Sequence, residues 1–118
     1  MSEAVFSNRR EIPPQLLEVA VSQTATTLVV AACGELDVGT VSRLRAALAG
    51  RLDRRDIQVD LTGLTFIDST GLRLLLSLRS RTARHDAALT IVANERVRRT
   101  METAGLVELF TVVGPPPA

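Results

Sequence analysis

With 118 residues, of which 46% are hydrophobic, the chain is long enough to form one domain with a substantial apolar core. Its formal net charge of +1, with three Phe and no Trp or Tyr, provides neither the basic field nor the stacking surface that nucleic-acid binding uses. A single cysteine and a single histidine exclude an internal disulfide and a metal site built from several of these residues. We therefore expect no nucleic acid, metal or cofactor.

The ends of the chain are predicted to be loose and to flank one domain at residues 15–113. Residues 1–14 are mostly polar and end in Pro13 and Pro14, and residues 114–118 are rich in proline. The chain does not open with a basic segment followed by an apolar one, and no apolar run approaches the roughly twenty residues of a membrane span. These features predict a cytoplasmic protein with no membrane contact.

The predicted domain opens with two strands and a helix. The β-rich runs Leu16–Val21 and Thr27–Cys33, which a polar segment separates, predict an antiparallel pair. Cys33, in an apolar run at a strand end, is expected to be buried and inert. Apolar residues then recur at helical spacing, which predicts a first helix with one buried face. The apolar residues of this face are Val41, Leu44, Leu48 and Leu52.

A third predicted strand leads to the most informative segment of the chain. After a polar break at residues 53–56, the alternation over residues 57–61 predicts a strand. Thr62 and Gly63 predict a turn, and Leu64–Ile67 predicts a further extended segment.

The second helix is predicted over Thr70–Arg84. The residues predicted on its inner side are Leu72, Leu75, Leu76 and Ala83. Leu74 and Leu78 widen the apolar arc, either by packing on the flank of the helix or by contacting a partner.

The last third of the chain continues the alternation of strands and helices. Leu89–Ala93 predicts a strand, Asn94 predicts the N-cap of a third helix, and Gly105 predicts its end. The residues predicted to be inward on this helix are Val97, Met101 and Ala104. Leu109–Val113 predicts a last strand. We expect an α/β fold with a mixed central sheet of about five strands and helices after the second, third and fourth strands.

Small hydroxyl side chains lie where the second helix begins. Ser69 and Thr70 favour the N-cap position, so one of them can accept a hydrogen bond from a free amide of the helix. The same amides and the positive end of the helix dipole would accommodate a phosphate. Phosphorylation of Ser69 would add about one and a half to two negative charges beside Asp68. The Ser69 hydroxyl is thus either a cap or a site for a charge switch.

Two further aspartates lie near strand ends. Asp37 follows the second strand and is expected near Ser69, because helix-opening turns at the same end of neighbouring strands cluster. There it would orient the hydroxyl or meet a partner, or it would cap the first helix, or both. Asp60 is expected to satisfy the amides of the turn at Thr62 and Gly63.

Several motifs taken together resemble one family. They are Gly34–Asp37, Asp60 with Leu61, Phe66–Leu72 and Thr103–Leu106. With these motifs the chain resembles the bacterial anti-sigma factor antagonists of the STAS superfamily, over nearly all of residues 16–113. The resemblance implies that a cognate anti-sigma factor, acting as an ATP-dependent serine kinase, phosphorylates Ser69, and that a separate protein phosphatase removes the phosphate. It also implies that the unphosphorylated form binds the anti-sigma factor and so frees a sigma factor.

The resemblance implies a substrate and switch without catalytic residues of its own. We expect partners to bind around the start of the second helix. The candidate contact residues are Asp37, Asp68, Ser69, Thr70, Gly71, Arg73 and Leu74. Arg73 departs from the family, in which a small residue is common, and it could pair with the phosphate or with an acidic partner surface. Thr70 is a second candidate for the modification.

One alternative function stays open, and two others are disfavoured. The alternative is a STAS subunit of a larger assembly, such as a lipid transport complex or a sensory scaffold, in which the same surface docks a partner that is not a kinase. An enzymatic function is disfavoured because no histidine, lysine or oxyanion motif accompanies Asp68 and Ser69. Nucleotide binding is disfavoured because the chain has no glycine-rich phosphate loop.

Overall fold

Five strands and three α-helices make up the parts of the chain, residues 16–52 and 55–115, that the computed structural model describes. In chain order these elements are β1 (Leu17–Gln23), β2 (Thr27–Leu36), α1 (Val41–Leu48), β3 (Asp56–Ile67), α2 (Ser69–Arg84), β4 (Leu89–Ala93), α3 (Glu95–Thr103), a 3-10 turn (Val107–Leu109) and β5 (Thr111–Val113). The strands form one sheet in the order β1-β2-β3-β4-β5, in which β1 and β2 are antiparallel and the other neighbours are parallel. The predicted α/β fold, with helices after the second, third and fourth strands, is confirmed.

The segments predicted to be loose fall mainly outside the described residues. Residues 1–14 lie outside them entirely, and of residues 114–118 only Gly114 and Pro115 are described, both exposed. The predicted domain boundaries therefore stay predictions. No helix in the described ranges is long and apolar enough to cross a membrane.

The core lies between the sheet and its helices. Buried side chains alternate with less buried ones along much of β2 and β3, as the pleat of a strand requires. The largest fully buried side chains are Leu28, Leu36, Leu44, Leu48, Leu61, Leu75, Ile91, Met101, Val30, Val59 and Val97. Removal of each such side chain from water contributes about 1.5–3 kcal/mol. This core fixes the helices against the sheet and so fixes the loops that join them.

The predicted turn at Thr62 and Gly63 is wrong, because β3 continues through both residues. The pairing of β3 with β2 shifts register here, and the extra residue on β3 forms a bulge. Asp60 Oδ1 accepts hydrogen bonds from the Thr62 backbone N–H at 2.9 Å and from its hydroxyl at 2.7 Å, as expected of a residue that satisfies local donors. The Asn94 side-chain amide donates to the carbonyl oxygens of Thr62 at 3.0 Å and Leu64 at 2.9 Å. The bulge thus uses residue types that are also typical of turns.

The helices begin close to the predicted residues, but α2 buries a different face. Asn94 caps α3 as predicted, since its Oδ1 accepts a hydrogen bond from the Val97 N–H at 2.8 Å. The buried residues of α2 are Gly71, Leu72, Leu74, Leu75, Leu78 and Thr82. Of the residues predicted to be inward on α2, Ala83 is exposed and Leu76 is half-buried. Ala104, also predicted to be inward, is exposed because it is the C-cap residue, beyond the end of α3. The buried face is shifted because α1 packs against the flank of α2.

The strands also differ in length from the predictions. The strand β1 extends to Gln23, which pairs with Leu28 of β2, and β2 extends to Leu36, which pairs with Ile67 of β3. Cys33 consequently lies inside β2 and is partly exposed, which corrects its predicted full burial. The last strand is shorter than predicted, because residues 107–109 form the 3-10 turn.

Gly34 allows the end of β2 to pass close to the start of β1. Its φ is +112°, and a Cβ at this position would lie 2.2 Å from the Leu16 carbonyl oxygen. The same oxygen accepts a hydrogen bond from the Glu35 N–H at 3.4 Å. Only glycine adopts this backbone readily, so Gly34 determines how β2 leads into the loop at Asp37.

Gly34→Ala should lower the free energy of unfolding by about 3 kcal/mol, because a clash with the Leu16 oxygen adds to the cost of a positive φ. Gly50→Ala is the matched control, since Gly50 has a φ of +75° but no atom within 4 Å of an added Cβ. The control should lose about 1 kcal/mol. Urea unfolding measures both losses, and equal losses would contradict the close approach of the two strands.

Candidate functional site

Asp68 holds the turn between β3 and α2 and is the N-cap of α2. Its backbone is extended, with φ −115° and ψ −171°. Its Oδ1 accepts hydrogen bonds from the backbone N–H groups of Thr70 at 2.9 Å and Gly71 at 3.3 Å. The predicted capping role of Ser69 or Thr70 is therefore wrong. Three consecutive residues of the motif favour the N-cap, and Asp68 is the one with the non-helical backbone that this position needs.

Ser69 is the first residue of α2, and it is exposed to solvent. Because Asp68 supplies the cap, the start of the helix does not depend on the Ser69 hydroxyl. Thr70 is half-buried, and Leu72 is buried. The more accessible hydroxyl at this helix start is therefore that of Ser69.

Gly71 brings α2 onto the ends of β2 and β3. A Cβ at this position would lie 2.9 Å from Ile67 Cγ1 and 2.9 Å from Leu36 Cγ. The Asp68 N–H donates a hydrogen bond to the Leu36 carbonyl oxygen at 3.2 Å, which joins the same two strand ends. Gly71 is itself buried, so it positions the site and offers no side chain to a partner.

Asp37 lies between β2 and α1 and caps the turn that opens α1. Its Oδ1 accepts hydrogen bonds from the N–H groups of Gly39 at 2.9 Å and Thr40 at 3.1 Å, and its carbonyl oxygen accepts one from the Val41 N–H at 2.9 Å. Of the roles expected for Asp37, these hydrogen bonds show the capping of the turn that opens the first helix. Asp37 also lines a surface depression together with Asp68, so the two aspartates lie at the same edge of the sheet.

Thr40 completes this turn and is absent from the predicted site residues. It is buried, its hydroxyl donates a hydrogen bond to the Glu35 carbonyl oxygen at 2.6 Å, and its Oγ1 accepts one from the Asp37 N–H at 3.0 Å. Asp37 and Thr40 therefore satisfy each other's backbone N–H across three residues, as in a capping box. The spacing Asp-x-x-Thr was the available signal in the sequence.

Two depressions flank the junction of Asp68 and Ser69. The first, here the β2 depression, has a volume of about 500 Å³ and is lined by Leu16, Asp37, Val38, Gly39, Thr40, Arg43, Phe66 and Asp68. The second, here the α3 depression, has a volume of about 360 Å³ and is lined by Asp68, Ser69, Leu72, Arg99, Thr100, Thr103 and Ala104. Asp68 borders both, whereas Ser69 borders only the α3 depression.

Apolar side chains are exposed beside the β2 depression. Val38 is 77% exposed and Phe66 is 46% exposed. Both lie close in the chain to a capping aspartate, Val38 next to Asp37 and Phe66 two residues before Asp68. A partner that covers these two side chains would gain the free energy of removing them from water.

The remaining predicted contact residues differ in exposure. Arg73 is exposed, one helical turn after Ser69. Leu74 is 5% exposed and packs in the core beside Leu48 of α1, which corresponds to the flank-packing alternative. Arg99 was not predicted, because it lies far along the chain and lines the same depression as Ser69 only through the packing of α3.

The site contains capping carboxylates and no evident metal ligand set. Within residues 16–52 and 55–115, no three or more His, Cys, Asp or Glu side chains are grouped so that they could hold a metal ion. His85 is the C-cap residue at the opposite end of α2 and is exposed.

The fold and the motif at the start of α2 define the class of protein. Residues 18–115 match the STAS domain family, so the chain belongs to that family. It is 39% identical over 82 residues to the anti-sigma-B factor antagonist of Staphylococcus aureus strain NCTC 8325, an alignment that covers 67% of this chain and 76% of that protein.

Solved structures share the fold. An anti-sigma factor antagonist from Mycobacterium paratuberculosis has a TM-score of 0.76 at 24% identity and covers 86% of this chain and 88% of its own. The anti-sigma factor antagonist SpoIIAA in its unphosphorylated form has a TM-score of 0.71 at 21% identity, with 84% of this chain and 89% of that chain covered. The Bacillus SpoIIAA in its phosphorylated form has a TM-score of 0.67 at 20% identity, with 84% and 92% covered.

Asp68→Ala should lower the free energy of unfolding by about 1 kcal/mol, because the N–H groups of Thr70 and Gly71 lose their acceptor. Ser69→Ala should change it by less than about 0.5 kcal/mol, because the exposed hydroxyl is not the cap. Chemical denaturation of both variants measures the difference. A larger loss in Ser69→Ala than in Asp68→Ala would show that the hydroxyl caps the helix.

Proposed function

We propose that this protein is an anti-sigma factor antagonist whose binding to an anti-sigma factor is switched off by phosphorylation of Ser69. The observation that carries the proposal is the exposed Ser69 at the first position of α2, beside a cap that Asp68 supplies. The unphosphorylated protein binds the anti-sigma factor and thereby releases a sigma factor. The anti-sigma factor is also the serine kinase, and a separate phosphatase restores the binding form.

Phosphorylation acts on this surface through charge. A phosphoryl group on Ser69 adds about one and a half to two negative charges next to the Asp68 carboxylate. Because the hydrogen bonds of the cap belong to Asp68, the modification leaves the start of α2 in place. A partner surface that fits a neutral hydroxyl then has to desolvate a dianion, which weakens binding about a hundredfold to a thousandfold.

The anti-sigma factor contacts the start of α2 and the β2 depression. Val38 and Phe66 supply exposed apolar surface there, and Asp37 and Asp68 supply charge. The proposed contact surface also includes Ser69, Thr70 and Arg73. Gly71 and Leu74 are left out of it, because both are buried.

The two forms of SpoIIAA support a switch that does not unfold the domain. Structures of that protein in its unphosphorylated and phosphorylated forms match this chain with TM-scores of 0.71 and 0.67. The same fold is therefore compatible with both states of that protein. We expect the same of this chain.

Ser69→Asp should weaken binding to the cognate anti-sigma factor at least tenfold, a change of about 1.4 kcal/mol, and leave the melting temperature nearly unchanged. Ser80→Asp is the matched control, because Ser80 is an exposed serine on the same helix. It should bind as the wild type does. Isothermal titration calorimetry measures both affinities.

Ser69→Ala tests whether phosphorylation of Ser69 releases the protein from the anti-sigma factor. This variant should bind the anti-sigma factor as tightly with ATP as without it, whereas the wild type should be phosphorylated and released in ATP. If wild type and variant respond alike to ATP and no phosphate reaches Ser69, the proposed function is wrong.

Val38→Ala should weaken the binding of the unphosphorylated protein to the anti-sigma factor severalfold and leave the stability of the protein unchanged, because Val38 is 77% exposed at the β2 depression. Val113→Ala is the matched control, since Val113 is 42% exposed on β5 and does not line that depression. The same calorimetric titration compares the two. Equal losses of affinity would place the contact elsewhere.

A further inference from the structure

We propose, on the basis of the function proposed above, that Arg99 on α3 is the side chain that receives the phosphoryl group of phosphorylated Ser69. Both residues line the α3 depression, which has a volume of about 360 Å³. The contact between Arg99 and the phosphoryl group therefore forms only when Ser69 is phosphorylated.

Three amides in the first turn of α2, those of Thr70, Gly71 and Leu72, are already engaged. The Asp68 carboxylate accepts hydrogen bonds from the N–H groups of Thr70 and Gly71, and the Asp68 carbonyl oxygen accepts one from the Leu72 N–H at 3.1 Å. A phosphoryl group on Ser69 would have to displace the cap to use the first two. Its charge is therefore balanced more readily by a nearby cationic side chain.

Arg99 is the cationic side chain of the depression that Ser69 lines. Arg43 lines the β2 depression, on the other side of Asp68. Arg73 lies one helical turn after Ser69 on α2, but it does not line either depression. The guanidinium of Arg99 can form two parallel hydrogen bonds to a phosphoryl group, which suits it to this contact.

The present partner of Arg99 does not hold it strongly. Arg99 Nε lies 3.7 Å from Glu95 Oε1, and the two side chains are 71% and 73% exposed. Exposed ion pairs of this kind contribute little, because solvent screens them. A phosphoryl dianion carries more charge than the Glu95 carboxylate, so Arg99 changes partner when Ser69 is modified.

The contact has a consequence for the charge of the modified form. A neighbouring guanidinium favours the dianion over the monoanion, so it lowers the second pKa of the phosphoserine. The Asp68 carboxylate acts in the opposite direction. Arg99 thus helps to keep the phosphoryl group fully charged at neutral pH, where repulsion of the partner is largest.

The test uses protein in which phosphoserine is incorporated at position 69 during synthesis, so that neither kinase nor partner is required. Phosphorus-31 NMR titration measures the second pKa of the phosphoserine in the otherwise wild-type protein and in Arg99→Gln. The substitution should raise this pKa by about half a pH unit, as expected for the loss of one exposed ion pair. Arg96→Gln is the matched control, because Arg96 is exposed on α3 and does not line the depression.

The pKa should not change in Arg96→Gln. An unchanged pKa in Arg99→Gln, or a shift found only in Arg73→Gln, would overturn the assignment of Arg99. The result is independent of the proposed function, because the phosphoserine is present whether or not a kinase modifies Ser69. Failure of kinase phosphorylation would overturn the proposed function alone.

Discussion

The carboxylate of Asp68 is the constraint on which the site depends. It accepts hydrogen bonds from the N–H groups of Thr70 and Gly71, while the backbone N–H of the same residue donates to the Leu36 carbonyl oxygen at the end of β2. Gly71 permits this arrangement, because a side chain there would collide with the strand ends. The helix is therefore capped one residue before Ser69. As a result the serine stands at a fixed position in the fold but contributes little to its stability.

Because Asp68 caps the helix and Ser69 carries the exposed hydroxyl, a modification site can lie beside a well-packed core. Phosphorylation of a serine that itself caps a helix would replace the hydrogen bond that starts that helix. Here the added charge changes the surface and leaves the cap intact. The junction also separates two environments. The β2 depression has exposed apolar side chains beside Arg43 and the capping aspartates, and the α3 depression has Arg99 beside Ser69. The exposed apolar part of the proposed partner surface and the proposed phosphoryl contact thus lie on different sides of Asp68, and Ser69 borders the second side.

The order of elements could be predicted from the sequence, because hydrophobic spacing and caps such as Asn94 are local signals. The bulge at Thr62 and Gly63 could not be told from a turn, since both use the same residue types and only pairing with β2 distinguishes them. The choice of Asp68 over Ser69 as the cap also depends on backbone angles that the fold imposes. Arg99 carries no local signal, because its proximity to Ser69 results from the packing of α3.

The most direct test of the central claim is mass spectrometry of the protein purified from its own host, with every phosphate mapped to a residue. We expect a phosphorylated fraction in which the phosphate is on Ser69, the exposed first residue of α2, and not on the half-buried Thr70. Phosphate on Thr70 with Ser69 unmodified, or no phosphate on either residue under any growth condition, would contradict the account.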